Sequence, residues 1–199
     1  MRIALLLFCG LIAGPASAAA TIADIWQDIS WGEPSSALVE HLGARATLLP
    51  QPIDFGDSYV QIVVRNVPVG GVPLIAFFQM DKTTGGLKRV QLERQRHGVN
   101  PPAFRGVVAG LEDAFGTPDA VCAIAPGPKS GYQAATKLAW WRNGNLISAI
   151  FRDTTIEAVE GCLNRDLGTG PCGLTGQLLV RVSPAGAEQE SCAAPKPVQ

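Results

Sequence analysis

Lys137-Leu138-Ala139-Trp140-Trp141-Arg142-Asn143-Gly144-Asn145-Leu146-Ile147-Ser148-Ala149-Ile150 is the stretch that decides the fold. Asn143-Gly144 is the pair that a two-residue type I′ turn favours, because both of its central residues take positive φ. Segments 134–142 and 145–152 are then antiparallel partners, with Trp140 opposite Ile147 and Trp141 opposite Leu146. Adjacent residues of a strand point to opposite faces, so the two tryptophans have different surroundings. Trp140 shares its side with Leu138, Ile147, Ala149 and Phe151, the pattern of a core. Trp141 shares the other with Lys137, Ala139, Ser148 and Arg152, a mixed surface on which a tryptophan can anchor a partner. Trp141, Lys137 and Arg152 are therefore the expected binding residues; the competing assignment has a loop or the C-terminal tail lying over them.

Upstream, Tyr59 to Val67 alternates, Val72 to Met80 is apolar on both faces, and Leu87 to Arg94 follows a polar turn, which predicts an antiparallel meander. Asn100-Pro101-Pro102 opens a helix, with Asn as cap, Pro in the first turn, and a stripe of Phe104, Val107, Val108, Leu111 and Phe115. Gly106 and Gly110 weaken that helix and point to close packing on their side. Shorter helices are expected over 21–29, over 35–42 ending at Gly43, and over 155–164, with a short strand at Cys122 and a last one over 177–182. A helix ending in Gly43 and another ending in Gly116, each followed by strands, suggest two similar helix-on-sheet halves. The expected class is α+β: an antiparallel sheet, a meander plus the Asn-Gly hairpin, with helices on one face and disulfide staples.

Residues 1–18 read as a secretory signal peptide. Arg2 gives the positive start, Ile3 to Ile12 the apolar run, and Ala16-Ser17-Ala18 the small-residue cleavage site. An apolar run of about ten residues is short of the roughly twenty that span a bilayer. Bulky Phe8 before Cys9 argues against lipidation there. The expected organisation is a leader, a single domain over 19–183 and a loose tail over 184–199, exported to the periplasm or secreted. Export leaves Cys122, Cys162, Cys172 and Cys192 in an oxidising compartment, where disulfides are the expectation, with Cys162–Cys172 and Cys122–Cys192 preferred among three pairings.

Sixteen Lys and Arg against seventeen Asp and Glu give no electrostatic footprint for nucleic acid or anionic lipid. Two histidines, His41 and His97, lack the spacing of a zinc site, and no G-x-S-x-G marks a nucleophile; Ser130 in Pro128-Lys129-Ser130-Gly131 is the nearest serine. Asp54 and Asp57 around Gly56 lack the alternating oxygens and terminal Glu of a calcium loop. Gly168 to Gly173 matches G-x-G-x-x-G, but a helix precedes and a strand follows it, the reverse of what a dinucleotide site needs. No cofactor or metal is expected. The residues favour an exported, non-catalytic domain that binds another envelope or secreted protein. The rivals are a carrier of a small apolar ligand, in a pocket between helix 101–115 and the sheet, and a hydrolase centred on His41 or His97.

Overall fold

The computed structural model describes residues 22–26, 29–95, 100–124, 132–154 and 178–186. After a 3-10 turn at Ile22–Ile25, the chain forms α1 (Ser35–Leu42), β1 (Ala46–Asp54), β2 (Ser58–Val69), β3 (Val72–Asp81) and β4 (Leu87–Glu93). Then come α2 (Pro101–Phe115), β5 (Ala120–Ile124), β6 (Tyr132–Arg142), β7 (Asn145–Thr154) and β8 (Leu178–Pro184). All eight strands lie in one antiparallel sheet in the order β1-β2-β3-β4-β8-β7-β6-β5. Two four-stranded meanders therefore meet through their last strands, with Val90 opposite Val182 and Leu92 opposite Val180.

This corrects the α+β expectation. Strand accounts for 56% of the described residues and helix for 23%, so among them the sheet is the main body and the two helices are short additions to it. Each helix is followed by a four-stranded meander, as the two Gly-terminated helices suggested, and the two meanders merge into one continuous sheet. Two physical reasons lie behind the correction. Ile22, Ile25 and Trp26 have helical spacing but close only a single 3-10 turn, because so short a segment does not recover the cost of nucleating a helix. Pro50 and Pro52 disguise β1, which is a strand because it sits on the sheet edge, where a missing amide donor leaves no gap in the ladder. No disulfide joins two described residues. Cys122, the one described cysteine, is disulfide-bonded, and both preferred pairings fall at least partly outside the described residues, as does the expected helix over 155–164.

The core lies between the helices and one face of the sheet. Leu38 and Leu42 of α1 and Val107 and Leu111 of α2 pack with Ile62, Phe78, Leu92, Val180 and Trp140. The Asn100 side chain caps α2 by accepting the Ala103 N–H at 2.9 Å, and Gly116, at φ 78°, ends it. Glycines set how deeply α2 sits. The β2–β3 turn carries Gly70 at φ 53°, and a Cβ there would overlap the Gly106 carbonyl oxygen. A Cβ on Gly110 would overlap the Gly70 backbone nitrogen. Helix and turn touch backbone to backbone, so the apolar stripe of α2 comes down directly on the sheet.

Candidate functional site

The hairpin register matches the spacing argument: Trp140 pairs with Ile147 and Trp141 with Leu146 across the Asn143-Gly144 turn, whose φ angles are 50° and 75°. Trp140 is fully buried and donates its indole N–H to the Gly116 carbonyl at 2.7 Å, which satisfies its one polar atom. Trp141, Lys137 and Arg152 lie together on the opposite face. Trp141 and Arg152 are half-buried, and Lys137 is only 4% exposed.

That opposite face is mixed: buried Ala139, Leu146, Ile150 and Leu179 lie on it beside a set of polar side chains. Arg181 donates from Nε (3.1 Å) and a terminal nitrogen (2.8 Å) to Gln91 Oε1, and Gln91 Nε2 donates to Glu93. Further along, Arg89 donates to Gln79 Oε1 and to Asp57, and the Ser58 hydroxyl donates to Gln79 Oε1 at 3.1 Å. These hydrogen bonds offset the cost of burying the polar atoms that make them, while Gln79 Nε2 and Ser183 Oγ are buried without a hydrogen-bond partner. Asp57 reports the field there. Burial pushes its carboxyl up, but hydrogen bonds from Arg89 and then Lys88, with their charges, outweigh that and hold it down to about 2.

A cleft of about 610 Å³ opens at the end of the sheet where the β6–β7 turn lies. Trp26 stacks on Phe115, the last residue of α2, with ring centroids 6.1 Å apart and planes at 27°. Trp31 forms another wall and donates its indole N–H to Asn145 Oδ1 at 2.7 Å. The turn Asn143-Gly144, with Arg142 and Asn145 on either side, lines the cleft together with Ile29, Ser30 and Ile147. Arg142 is committed to structure: it donates to the Phe115 carbonyl at 3.0 and 2.8 Å, to the Trp141 carbonyl at 2.9 Å, and pairs with Asp119. A cation gathering carbonyls at the end of α2 suits the helix dipole and fixes the turn against the helix. Asp119 also accepts the Trp141 amide at 2.7 Å. Burial raises the Asp119 carboxyl, but this amide bond and the Arg142 contact bring it below the ordinary carboxylate range. The cleft is thus aromatic and amide-lined, with its one arginine neutralised.

The loop carrying Trp31 is held as firmly. Gly32 N–H donates to the Leu87 carbonyl and Leu87 N–H to the Glu33 carbonyl, both at 2.9 Å, so 32–33 lie beside the start of β4. Glu33 accepts the Ser30 N–H at 3.3 Å through Oε1 and contacts His41 Nδ1 at 3.2 Å through Oε2. His41 therefore braces this loop. Asp54 pairs with Lys82 at 2.7 Å and Asp57 with Lys88 at 2.9 Å, so the carboxylates of the calcium-like segment face cations. No group of three or more His, Cys, Asp or Glu able to hold a metal occurs among the described residues. His97, Ser130 and the 168–173 glycine segment lie outside them.

The sequence reading missed the cleft. Trp26 falls in the helix expected over 21–29, Trp31 just beyond it, and Phe115 in the apolar stripe of the helix opened by Asn100. The one signal available was that all four tryptophans fall in two close pairs, 26/31 and 140/141. Comparison with protein-family models, with curated proteins and with solved structures finds no match to this chain.

Proposed function

We propose that this is an exported, non-catalytic binding domain that engages another envelope or secreted protein through the β6–β7 end of its sheet. The observation that carries the reading is the aromatic cleft beside a turn pinned by Arg142 and Asn145. Preformed, rigid aromatic walls lose little entropy on binding, and tryptophans dominate the energetics of protein interfaces. Because Arg142 and Asp119 neutralise each other, the cleft suits an uncharged segment presenting an aliphatic or aromatic side chain with backbone amides around it. Trp141, on the other side of the same hairpin end, offers a second contact. The leader-like residues 1–18 support export to the periplasm or beyond. No helix among the described residues is long and apolar enough to cross a membrane.

A small-ligand carrier is the second reading, favoured by the cleft's volume, which falls within the roughly 300–1,000 Å³ of small-molecule sites. Between α2 and the sheet, Gly106 and Gly110 meet Gly70, and a smaller cavity of about 370 Å³ lies at the start of α2, beside Ala103, Val72 and Pro73. Affinity capture from the native envelope, followed by titration of the captured protein, tests the leading reading. One saturable partner whose affinity falls about tenfold or more in Trp31→Ala, with melting unchanged, supports it. A small molecule that co-purifies and is displaced from the cleft supports the carrier instead.

A further inference from the structure

At the end of the sheet away from the cleft, the pairing of β2 with β3 slips: Val64 faces Ala76 and Val67 faces Leu74, so Arg65 and Asn66 share the place opposite Ile75. Such a bulge re-aims side chains and is enriched next to active sites. Asn66 takes φ 56°, in the left-handed region that residues other than glycine rarely occupy, and it is exposed. Two cavities share it as a wall. One, of about 370 Å³, is lined by Asn66, Arg94, Gln95 and Asn100; the other, of about 270 Å³, by Asn66, Arg65 and Arg45 beside Ile25 and Val67. Three arginines thus border the bulge, and no Asp or Glu among the described residues lines either cavity. Charges that nearly balance over the chain do not balance here: Asp54, Asp57 and Asp81 lie at the opposite end of the strands, each paired with a lysine.

We infer that this bulge carries a second binding site, for a small organic acid with more than one carboxylate, independent of the partner proposed for the cleft. Arg45 and Arg94 already make other contacts, whereas Arg65 is exposed and pairs with no carboxylate among the described residues, so it is the cation that an incoming anion meets. A guanidinium presents a planar fork that a carboxylate accepts bidentately. The side-chain amides of Asn66 and Gln95 add donors, and so does Asn100, whose Oδ1 is spent on the α2 cap, which leaves its NH2 group to donate. Carboxylate is favoured over phosphate by what α2 lacks. Phosphate sites at helix starts use backbone amides. Here Pro101 and Pro102 have none, and those of Ala103 and Phe104 are bound to Asn100. Side-chain forks and amides remain, and with cavities sharing one wall they suit a short molecule with an acid at each end.

Titration with citrate at fixed ionic strength, read by calorimetry and by amide chemical shifts, tests this, with pyrophosphate as the comparison anion and melts of every variant. Citrate should bind saturably and more tightly than pyrophosphate, and should move the amides of 64–67, 71–72 and 94–95. Arg65→Gln should weaken it about tenfold or more, as loss of a charged hydrogen bond does. Asn66→Gly, which the positive φ favours, should fold as the wild type does and weaken it about threefold. Lys82→Gln removes the same charge at the other end of the sheet and should leave the affinity unchanged. No saturation by about 10 mM citrate, pyrophosphate binding as tightly as citrate, undiminished affinity in folded Arg65→Gln, or an equal loss in Lys82→Gln would each overturn the inference.

Discussion

On the helix-bearing face of the sheet, Phe78, Leu92, Val180 and Trp140 are buried among hydrocarbon, whereas on the opposite face polar Gln79, Gln91, Lys137 and Ser148 are just as withdrawn from water, interleaved with Leu146, Ile150 and Leu179. The first face is closed by packing, down to backbone contact at Gly70, Gly106 and Gly110. The second carries side-chain hydrogen bonds that run from Asp57 through Arg89 to Gln79, and from Arg181 through Gln91 to Glu93. Apolar burial is roughly proportional to area and indifferent to direction, while a buried polar layer holds only if its partners stay in place. The contrast explains why the open surface is found at the end of the sheet: both faces are spent on stability near the centre, and the cleft at the β6–β7 turn is where aromatic side chains remain within reach.

Substitutions on the two faces should separate these modes. The largest effect is expected for Trp140→Ala, which empties the packed face and orphans the Gly116 carbonyl, at a cost of about 3–5 kcal/mol by thermal or denaturant unfolding. A loss under about 1 kcal/mol would show that this face is not closed by packing. Gly110→Ala should follow, at about 1–3 kcal/mol, because α2 must lift off Gly70 to admit the methyl group, despite the better helix propensity of Ala. A neutral or stabilising outcome would mean that helix and turn are not in backbone contact. Asp57→Asn should be the mildest at neutral pH, under about 1 kcal/mol for a half-exposed ion pair. Its signature is the pH dependence. The folded carboxyl at about 2 lies below the unfolded value of about 3.9, so its contribution is full above that value and fades as pH falls to about 2. Melting temperatures of wild type and Asp57→Asn should therefore converge through that window; parallel curves would remove Asp57 from the polar layer.

Much of the sheet was legible because its signals are local. Asn143-Gly144 dictates one turn, the alternation from Tyr59 dictates β2, and Asn100-Pro101 starts α2, each within a few residues. β1 was hidden because proline argues against a strand unless its edge position is known, and that position is set by the rest of the sheet. The face opposite the helices read as available from Trp141, Lys137 and Arg152, since period two assigns a side but not a depth; Lys137 proves to be buried. The cleft was beyond reach for a stronger reason. Its decisive hydrogen bond joins Trp31 to Asn145, 114 residues away, and its stacked pair joins Trp26 to the far end of α2.

The claim that this protein works by binding at the β6–β7 end of the sheet is most directly tested by calorimetric titration of the captured envelope partner against wild type, Trp31→Ala and Trp141→Ala, with melts of all three. The account predicts that Trp31→Ala weakens binding by about 2 kcal/mol or more, and that Trp141→Ala weakens it while costing little stability. Undiminished affinity in both folded variants would contradict it.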